Sequence, residues 1–268
     1  MPELPDVEGF SRVLGRAGGR KVEDVEVLDA GVLRDTTGPE VRDAVTGSAF
    51  GAPCRHGKWL VAPLHAPGRR HRKDEPSIVF HFGMTGALIW SPDEGEERHR
   101  HDRLIFATDD GELRFRDMRK LQGVRLMQDD GDVDELLADS GPDAASIDRD
   151  ELTERLGASR RRLKPALIDQ SVVAGLGNLL ADEILWQARL HPARSSDDLT
   201  NDEWRRLFST MRSVLRQSEP VGRVPDRRSW LTGRRDEPEG KCPRCLTRLR
   251  HKPVGGRRTV WCPNCQPS

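Results

Sequence analysis

The chain opens with apolar positions three and four apart. Val7, Phe10, Val13, Leu14 and Ala17 fall on one helical face. Pro5 suits a first turn and Gly18-Gly19 suits an end, so the spacing predicts a helix over 5–18. From about 21 to 127 the pattern changes to strands. Val22, Val25 and Val27 punctuate residues 21–28, while 59–64, 78–90 and 104–108 are short apolar runs. Asp110-Gly111 between Ile105-Phe106 and residues 113–115 reads as a hairpin turn. Several short strands separated by Gly and Pro predict an antiparallel sandwich or barrel.

The pattern then turns helical. Thr200-Asn201-Asp202-Glu203 is a capping box ahead of Trp204, Leu207, Phe208, Met211, Val214 and Leu215, a stripe at helical spacing. Between the two patterns, residues 129–154 hold eleven acidic residues and one Arg, with Gly131 and Gly141-Pro142 among them. The part near 129–150 reads as a linker. Residues 218–241 are rich in Pro, Gly and Arg and read as loop. The expected organisation is α+β and multi-domain: an N-terminal β-sandwich domain over 1–128, an acidic linker over 129–150, a helical domain over 151–217, and a loop with a cysteine-bearing segment over 218–268.

Charge refines this picture. The 44 Lys and Arg balance 44 Asp and Glu, which by itself argues against a nucleic-acid binder. The distribution argues otherwise, because residues 221–268 carry twelve basic and four acidic residues. A basic tail and an acidic middle suggest one anion-binding face and one solvated stretch; ordinary surface charge is the alternative. No run of about 18 apolar residues exists to span a membrane, and Met-Pro-Glu-Leu-Pro lacks the basic and apolar character of a secretory leader. A cytoplasmic protein, associated with the nucleoid, is expected.

Four of five cysteines form the pattern Cys242-x2-Cys245-x16-Cys262-x2-Cys265. Each pair suits a knuckle that brings two thiolates to one tetrahedral ion, so the spacing predicts a single structural Zn2+ with no position open to water. Metal binding would fold a segment with little core of its own. Arg248, Arg250, His251, Lys252, Arg257 and Arg258 lie between the pairs, which suits phosphate contact; a ribbon for protein contact is the other reading. Cys54 stands alone and reads as a small core residue.

Gly175-Leu176-Gly177-Asn178 leads into an apolar stretch over 179–189. The glycines allow a tight turn, and Asn178 is a natural N-cap with Asp182 and Glu183 following. A helix start behind such a turn offers N–H groups to a phosphate.

Three features occur in order: Pro2-Glu3-Leu4-Pro5-Asp6-Val7-Glu8, the Gly-Leu-Gly-Asn turn, and the four-cysteine segment. Together they resemble the formamidopyrimidine-DNA glycosylase / endonuclease VIII family. The likeness includes Arg55-His56-Gly57-Lys58-Trp59-Leu60, His81-Phe82-Gly83-Met84-Thr85-Gly86 and Gly256-Arg257-Arg258-Thr259. The resemblance implies an N-terminal helix on an eight-stranded antiparallel sandwich, then a helix–two-turn–helix module and a zinc finger, with DNA in the cleft between the halves. It implies a bifunctional DNA glycosylase/AP lyase of base excision repair, acting as a monomer on duplex DNA with damaged bases or abasic sites.

In that resemblance Pro2, freed of Met1, is the amine that attacks C1′ of the sugar, and strand cleavage follows by β- and δ-elimination. Glu3 is the acid that protonates the opening sugar, and Lys58 contacts phosphate at the lesion and assists catalysis. Asn178 and Arg257 clamp flanking phosphates. Met84, Arg119 and Leu121 fill the gap left by the extruded nucleotide. Core packing for Met84 and Leu121, surface charge for Arg119, and Lys120 in its stead are the alternatives. The chain departs from the family at Asp6 (usually glutamate), Leu180 (usually tyrosine), Met118 (usually proline) and Leu121 (usually phenylalanine). The 218–241 segment is short for a cover over flipped 8-oxoguanine, which points toward ring-opened purines, hydantoins or oxidised pyrimidines. A noncatalytic, zinc-dependent damaged-DNA-binding protein on the same fold is the rival reading; Pro2 and Glu3 together favour the enzyme.

Overall fold

A computed structural model describes residues 1–92, 96–158 and 160–268. The chain forms two units: Met1–Pro2 with Val7–Asp139, and Glu3–Asp6 with Ser140–Ser268.

The first unit contains most of helix α1 (Leu4–Ala17). The expected apolar face is the one buried: Val7, Leu14 and Ala17 are fully inside, and Phe10 and Val13 pack beside them. Next come β1 (Val22–Val27), α2 (Gly38–Val45), β2 (Ala49–Phe50), β3 (Cys54–His56), β4 (Trp59–His65), β5 (Ser77–His81), β6 (Ala87–Ser91), β7 (Asp102–Thr108), β8 (Gly111–Arg116) and β9 (Val124–Met127). One sheet has the order β1-β7-β8-β6 and the other β2-β4-β5-β9, with β3 on β4. Every pairing between these strands is antiparallel. The predicted hairpin joins β7 to β8, with Thr108 opposite Gly111. Phe80 and Phe106 meet edge to face from the two sheets, as do Phe50 and Phe106. Truncating such a buried Phe costs about 3–5 kcal/mol.

Two expectations are corrected here. Nine strands are described rather than eight, because Gly51-Ala52-Pro53 separates β2 from β3, which both pair with β4, and Pro53 has no N–H to donate. The single apolar run over 78–90 is two strands in different sheets, broken at Gly83-Met84-Thr85. Gly83 has φ +55, and a Cβ on Gly86 would sit 2.5 Å from the Phe82 carbonyl oxygen. Burial on both sides of the turn hides it from a periodicity argument. Cys54 is also exposed rather than in the core, since β3 pairs only with β4 and its first residue points outward.

The acidic stretch is not simply a linker. It contains α3 (Asp130–Leu137), whose N-cap Asp129 accepts from the Asp132 N–H. Acidic groups favour a helix N-terminus, and none of the α3 residues is buried, so charge and capping outweigh the missing apolar stripe.

The second unit holds α4 (Arg149–Gly157), α5 (Leu163–Leu167), α6 (Asn178–Gln187), α7 (Asn201–Ser218) and the hairpin β10 (Arg250–Val254)–β11 (Arg257–Trp261). Helix α7 starts with the predicted reciprocal capping box of Thr200 and Glu203, and Trp204, Leu207, Met211, Val214 and Leu215 are buried as the stripe requires. The α6 helix ends at Gln187, short of the predicted 189. No helix among the described residues is long and apolar enough to cross a membrane.

Candidate active site

Within the second unit, the Gly-rich turn before α6 serves the N-terminal segment. The buried Glu3 carboxylate accepts the Leu179 N–H at 2.8 Å and the Leu180 N–H at 3.0 Å. The Leu4 N–H donates to the Gly175 carbonyl at 3.0 Å, and Asp6 accepts the Glu3 N–H at 2.8 Å. Burial pushes the Asp6 carboxyl above its ordinary value, against the lowering effect of that bond from Glu3. Gln170 braces the turn, accepting from Gly175 N–H and donating to the Leu176 and Ile168 carbonyls.

This geometry corrects the reading of the helix start. Gly177, not Asn178, is the N-cap, and having no side chain of its own it leaves the free N–H groups of the first turn to Glu3. Two of the N–H groups expected for a phosphate belong instead to Glu3. Asn178 is the first helical residue, and its buried Oδ1 has no hydrogen-bond partner among the described residues.

A buried cluster the sequence reasoning missed ties α6 to the hairpin. Lys164 Nζ donates to Asp182 Oδ1 at 2.6 Å, Thr259 Oγ1 at 2.9 Å and the Arg258 carbonyl at 3.0 Å. Asp182 Oδ2 accepts from Val260 N–H and pairs with Arg235 at 3.1 Å. Burial pulls the Lys164 ammonium down and pushes the Asp182 carboxyl up, each opposed by the other's charge. The signal available was a lysine amid Leu163, Ala166 and Leu167, on a helix otherwise buried. Gly255 and Gly256 both have positive φ at the β10–β11 turn, as a two-residue hairpin requires. Arg257 stands exposed just after it, its guanidinium without a partner among the described residues. Arg258, by contrast, is tied to Asp236 at 2.7 Å and to the Arg235 carbonyl.

The four cysteines converge as their spacing predicts. The sulfur atoms of Cys242, Cys245, Cys262 and Cys265 all lie within 4.8 Å of one another and could hold a metal ion. Trp186 Nε1–H points at Cys242 Sγ at 3.3 Å, an outer contact of the kind that orients metal ligands.

In the first unit, Pro2 is partly exposed at the chain start. Lys58 sits in the Gly57-Lys58 turn between β3 and β4, with Gly57 at φ +56. Arg55 fixes this turn to α1 through Glu8 at 3.1 Å and to the Gly57 carbonyl at 3.2 Å. His81, opposite Trp59 in the sheet, was not singled out from sequence. Burial, with the charges of Lys58 and Arg125, lowers its pKa to about 4. Its ring is therefore neutral at pH 7. Nδ1 accepts the Gly83 N–H at 3.1 Å, so Nε2 carries the proton and can donate.

Met84, Arg119 and Leu121 come together on two neighbouring turns. Met84 and Leu121 are 40% and 50% exposed, not core residues. An Arg119 guanidinium nitrogen lies 2.9 Å from Met84 Sδ. Thr85 Oγ1 bonds Asp117 and accepts the Arg119 N–H, joining the turns. Lys120 is held back by Asp29 at 2.8 Å, so Arg119 rather than Lys120 reaches outward.

Residues 1–124 match the model of the formamidopyrimidine-DNA glycosylase N-terminal domain, and 139–223 match the formamidopyrimidine-DNA glycosylase H2TH domain. A formamidopyrimidine-DNA glycosylase of Streptomyces avermitilis is 34% identical, covering 99% of this chain and 98% of its own length. That of Heliobacterium modesticaldum is 35% identical, covering 99% and 100%. The Lactococcus lactis glycosylase bound noncovalently to DNA containing an AP site superposes with TM-score 0.87 at 28% identity, over 99% of this chain and all of that one. Fold, domain order and site define a base-excision-repair enzyme that joins glycosylase to AP lyase activity. The chain belongs to the formamidopyrimidine-DNA glycosylase family.

Proposed function

We propose that Pro2, once Met1 is removed, excises oxidised bases from duplex DNA through a Schiff base. The observation that carries this is Glu3, the neighbour of Pro2, buried with its carboxylate fixed by two α6 amides. The proline nitrogen bonds to C1′ as the base departs. Glu3 gives a proton to the ring oxygen as the sugar opens, and the amine proton is lost to form the iminium. The iminium acidifies C2′, so the 3′ phosphate leaves by β-elimination and the 5′ phosphate by δ-elimination. Lys58 and Asn178 hold phosphates near the lesion, and Arg257 supplies a forked contact to another. Met84, Arg119 and Leu121 occupy the space of the extruded nucleotide.

One zinc ion suits the four cysteines. Thiolates at about 2.3 Å from a tetrahedral ion lie roughly 3.8 Å apart; the sulfur separations are 3.8 Å for Cys242–Cys265, 3.4 Å for Cys245–Cys262 and 3.5 Å for Cys245–Cys265. The ion would hold the finger that carries Arg257, outside the chemistry. The protein acts as a monomer on DNA.

Lesions that need no cover over the flipped base suit this chain best. The short segment after α7 is packed down: Trp230 and Leu231 are buried, and Thr232 N–H bonds Glu183 at 2.9 Å. Burial raises that Glu183 carboxyl to about 7. Ring-opened purines and oxidised pyrimidines are the expected substrates ahead of 8-oxoguanine.

Borohydride trapping on an abasic duplex tests the reading. Wild-type protein forms a covalent adduct, and Pro2→Gly or Glu3→Gln loses it. An adduct undiminished in Pro2→Gly would remove the proposed nucleophile, and a wild type that never traps would favour a DNA-binding protein without catalysis.

A further inference from the structure

Arg34 lies outside the candidate active site, yet both terminal nitrogens of its guanidinium are committed. It donates to four backbone carbonyls: Gly31 at 3.0 Å, Leu33 at 2.8 Å, Lys120 at 2.6 Å and Gln122 at 3.1 Å. Two are in its own turn. The other two flank Leu121 on the loop that also carries Arg119. Lys120 there has φ +51, a left-handed conformation that a non-glycine residue holds only with outside support.

Asp29 supplies a second tie from the same turn. Its carboxylate accepts from Lys120 Nζ at 2.8 Å and from the Gly31 N–H at 2.9 Å, and pairs with Arg103 at 3.2 Å. Arg103 Nε in turn donates to the Asp117 carbonyl at 2.9 Å, at the loop's start. The backbones close on each other at the loop's end. Arg34 N–H donates to the Val124 carbonyl, and a Cβ on Gly123 would sit 1.8 Å from the Val32 carbonyl oxygen.

The turn over 29–34 thus grips residues 117–124 at both ends and in the middle. The grip fixes the backbone on both sides of Leu121, whose side chain is half exposed.

We infer that Arg34 and Asp29 are positioning residues for base extrusion, preorganising the loop so that Arg119 and Leu121 meet the helix in one fixed pose. This rests on the wedge role proposed above for Met84, Arg119 and Leu121. Preorganisation matters because a misplacement of about 1 Å can cost on the order of a hundredfold in rate.

The test compares two substrates. One is a duplex carrying a ring-opened guanine, which must be extruded from the stack. The other is a single strand with a preformed abasic site, where nothing needs unstacking. Arg34→Met and Asp29→Asn are expected to slow duplex excision by roughly tenfold or more, with single-strand cleavage kept within about twofold of wild type. Adding Arg34→Met to an Arg119→Ala/Leu121→Ala double variant should bring no further loss, because the brace then has nothing to place. Equal losses on both substrates, or a further loss in the wedge-less background, would show that Arg34 supports the fold alone and overturn the inference. The wedge double variant by itself reports on the underlying reading: if it excises from duplex at the wild-type rate, the wedge role fails and the brace with it. Should Arg34→Met not fold by thermal melting, Asp29→Asn carries the same comparison from a side chain that is only partly buried.

Discussion

Gly177 lies so near Glu3 that a Cβ added to it would sit 2.3 Å from the Glu3 carboxyl carbon. Its φ is −134°, within reach of any residue, so this glycine answers to close approach and not to backbone freedom. The small residue lets a buried carboxylate reach the amides of Leu179 and Leu180.

Gly177→Ala should therefore displace Glu3 while leaving the α6 dihedrals unstrained. Base excision and lyase activity are expected to fall by about a hundredfold, and thermal melting should show a folded protein. Near wild-type turnover would mean the Glu3 position is not needed for chemistry.

Arg257 and Arg258 are adjacent but differ in their ties. Arg257→Ala is expected to weaken binding to abasic duplex by about tenfold, and to reduce the slope of log K against log salt by about one. Arg258→Ala should change the slope less, because its guanidinium already serves Asp236 and the Arg235 carbonyl. Fluorescence anisotropy across a salt series reads both values, and a larger slope change for Arg258 would reverse the assignment.

Removing the metal should release the finger alone. Its core is Trp186, Leu231, Leu249 and Val260 with Cys242 and Cys262, too little to fold without metal binding of order 10 kcal/mol. Chelation is expected to abolish DNA binding and expose Trp261 and Trp186 to quenchers, with the β-sandwich signal in circular dichroism kept. Unchanged binding after verified zinc loss would deny the finger a part in the grip.

His81 links the first unit's stability to pH. Its pKa falls from an ordinary 6.5 to about 4 on folding, chiefly by burial and then by the charges of Lys58 and Arg125. Between those values the unfolded chain binds the extra proton, so stability is retained above pH 6.5 and lost as pH drops toward 4. The full loss is about 3 kcal/mol. Urea unfolding at pH 7 and 4.5 should show a smaller difference in His81→Gln than in wild type. Identical pH dependence would place the acid sensitivity in other groups.

Much of this was legible in the sequence where one physical rule dominated. The capping box at Thr200 and the stripe behind it mark α7, and paired cysteines at fixed spacing mark the four-cysteine cluster. The α1 face was plain because Val7, Leu14 and Ala17 obey a single period. What stayed hidden depends on distant parts of the chain. That Glu3 takes the α6 amides, leaving Gly177 as cap, joins residues 176 and 177 apart. The sequence around Lys164 does not show its partners, because Asp182, Thr259 and the Arg258 carbonyl lie far along the chain. Arg34 shows no pattern at all, since its partners are backbone carbonyls that carry no sequence signature. Helix α3 was missed because it has no apolar stripe, only a cap and favourable charge.

The central claim is that the reacting atom is the Pro2 nitrogen of a processed chain. Protein purified from cells should be trapped with borohydride on abasic DNA, digested with protease and nuclease, and its N-terminal peptide fragmented by mass spectrometry. The account predicts a peptide that begins at Pro2 and carries the reduced sugar remnant on its imino nitrogen. A remnant on Lys58 or another amine, or a trapped peptide still beginning with Met1, would contradict it.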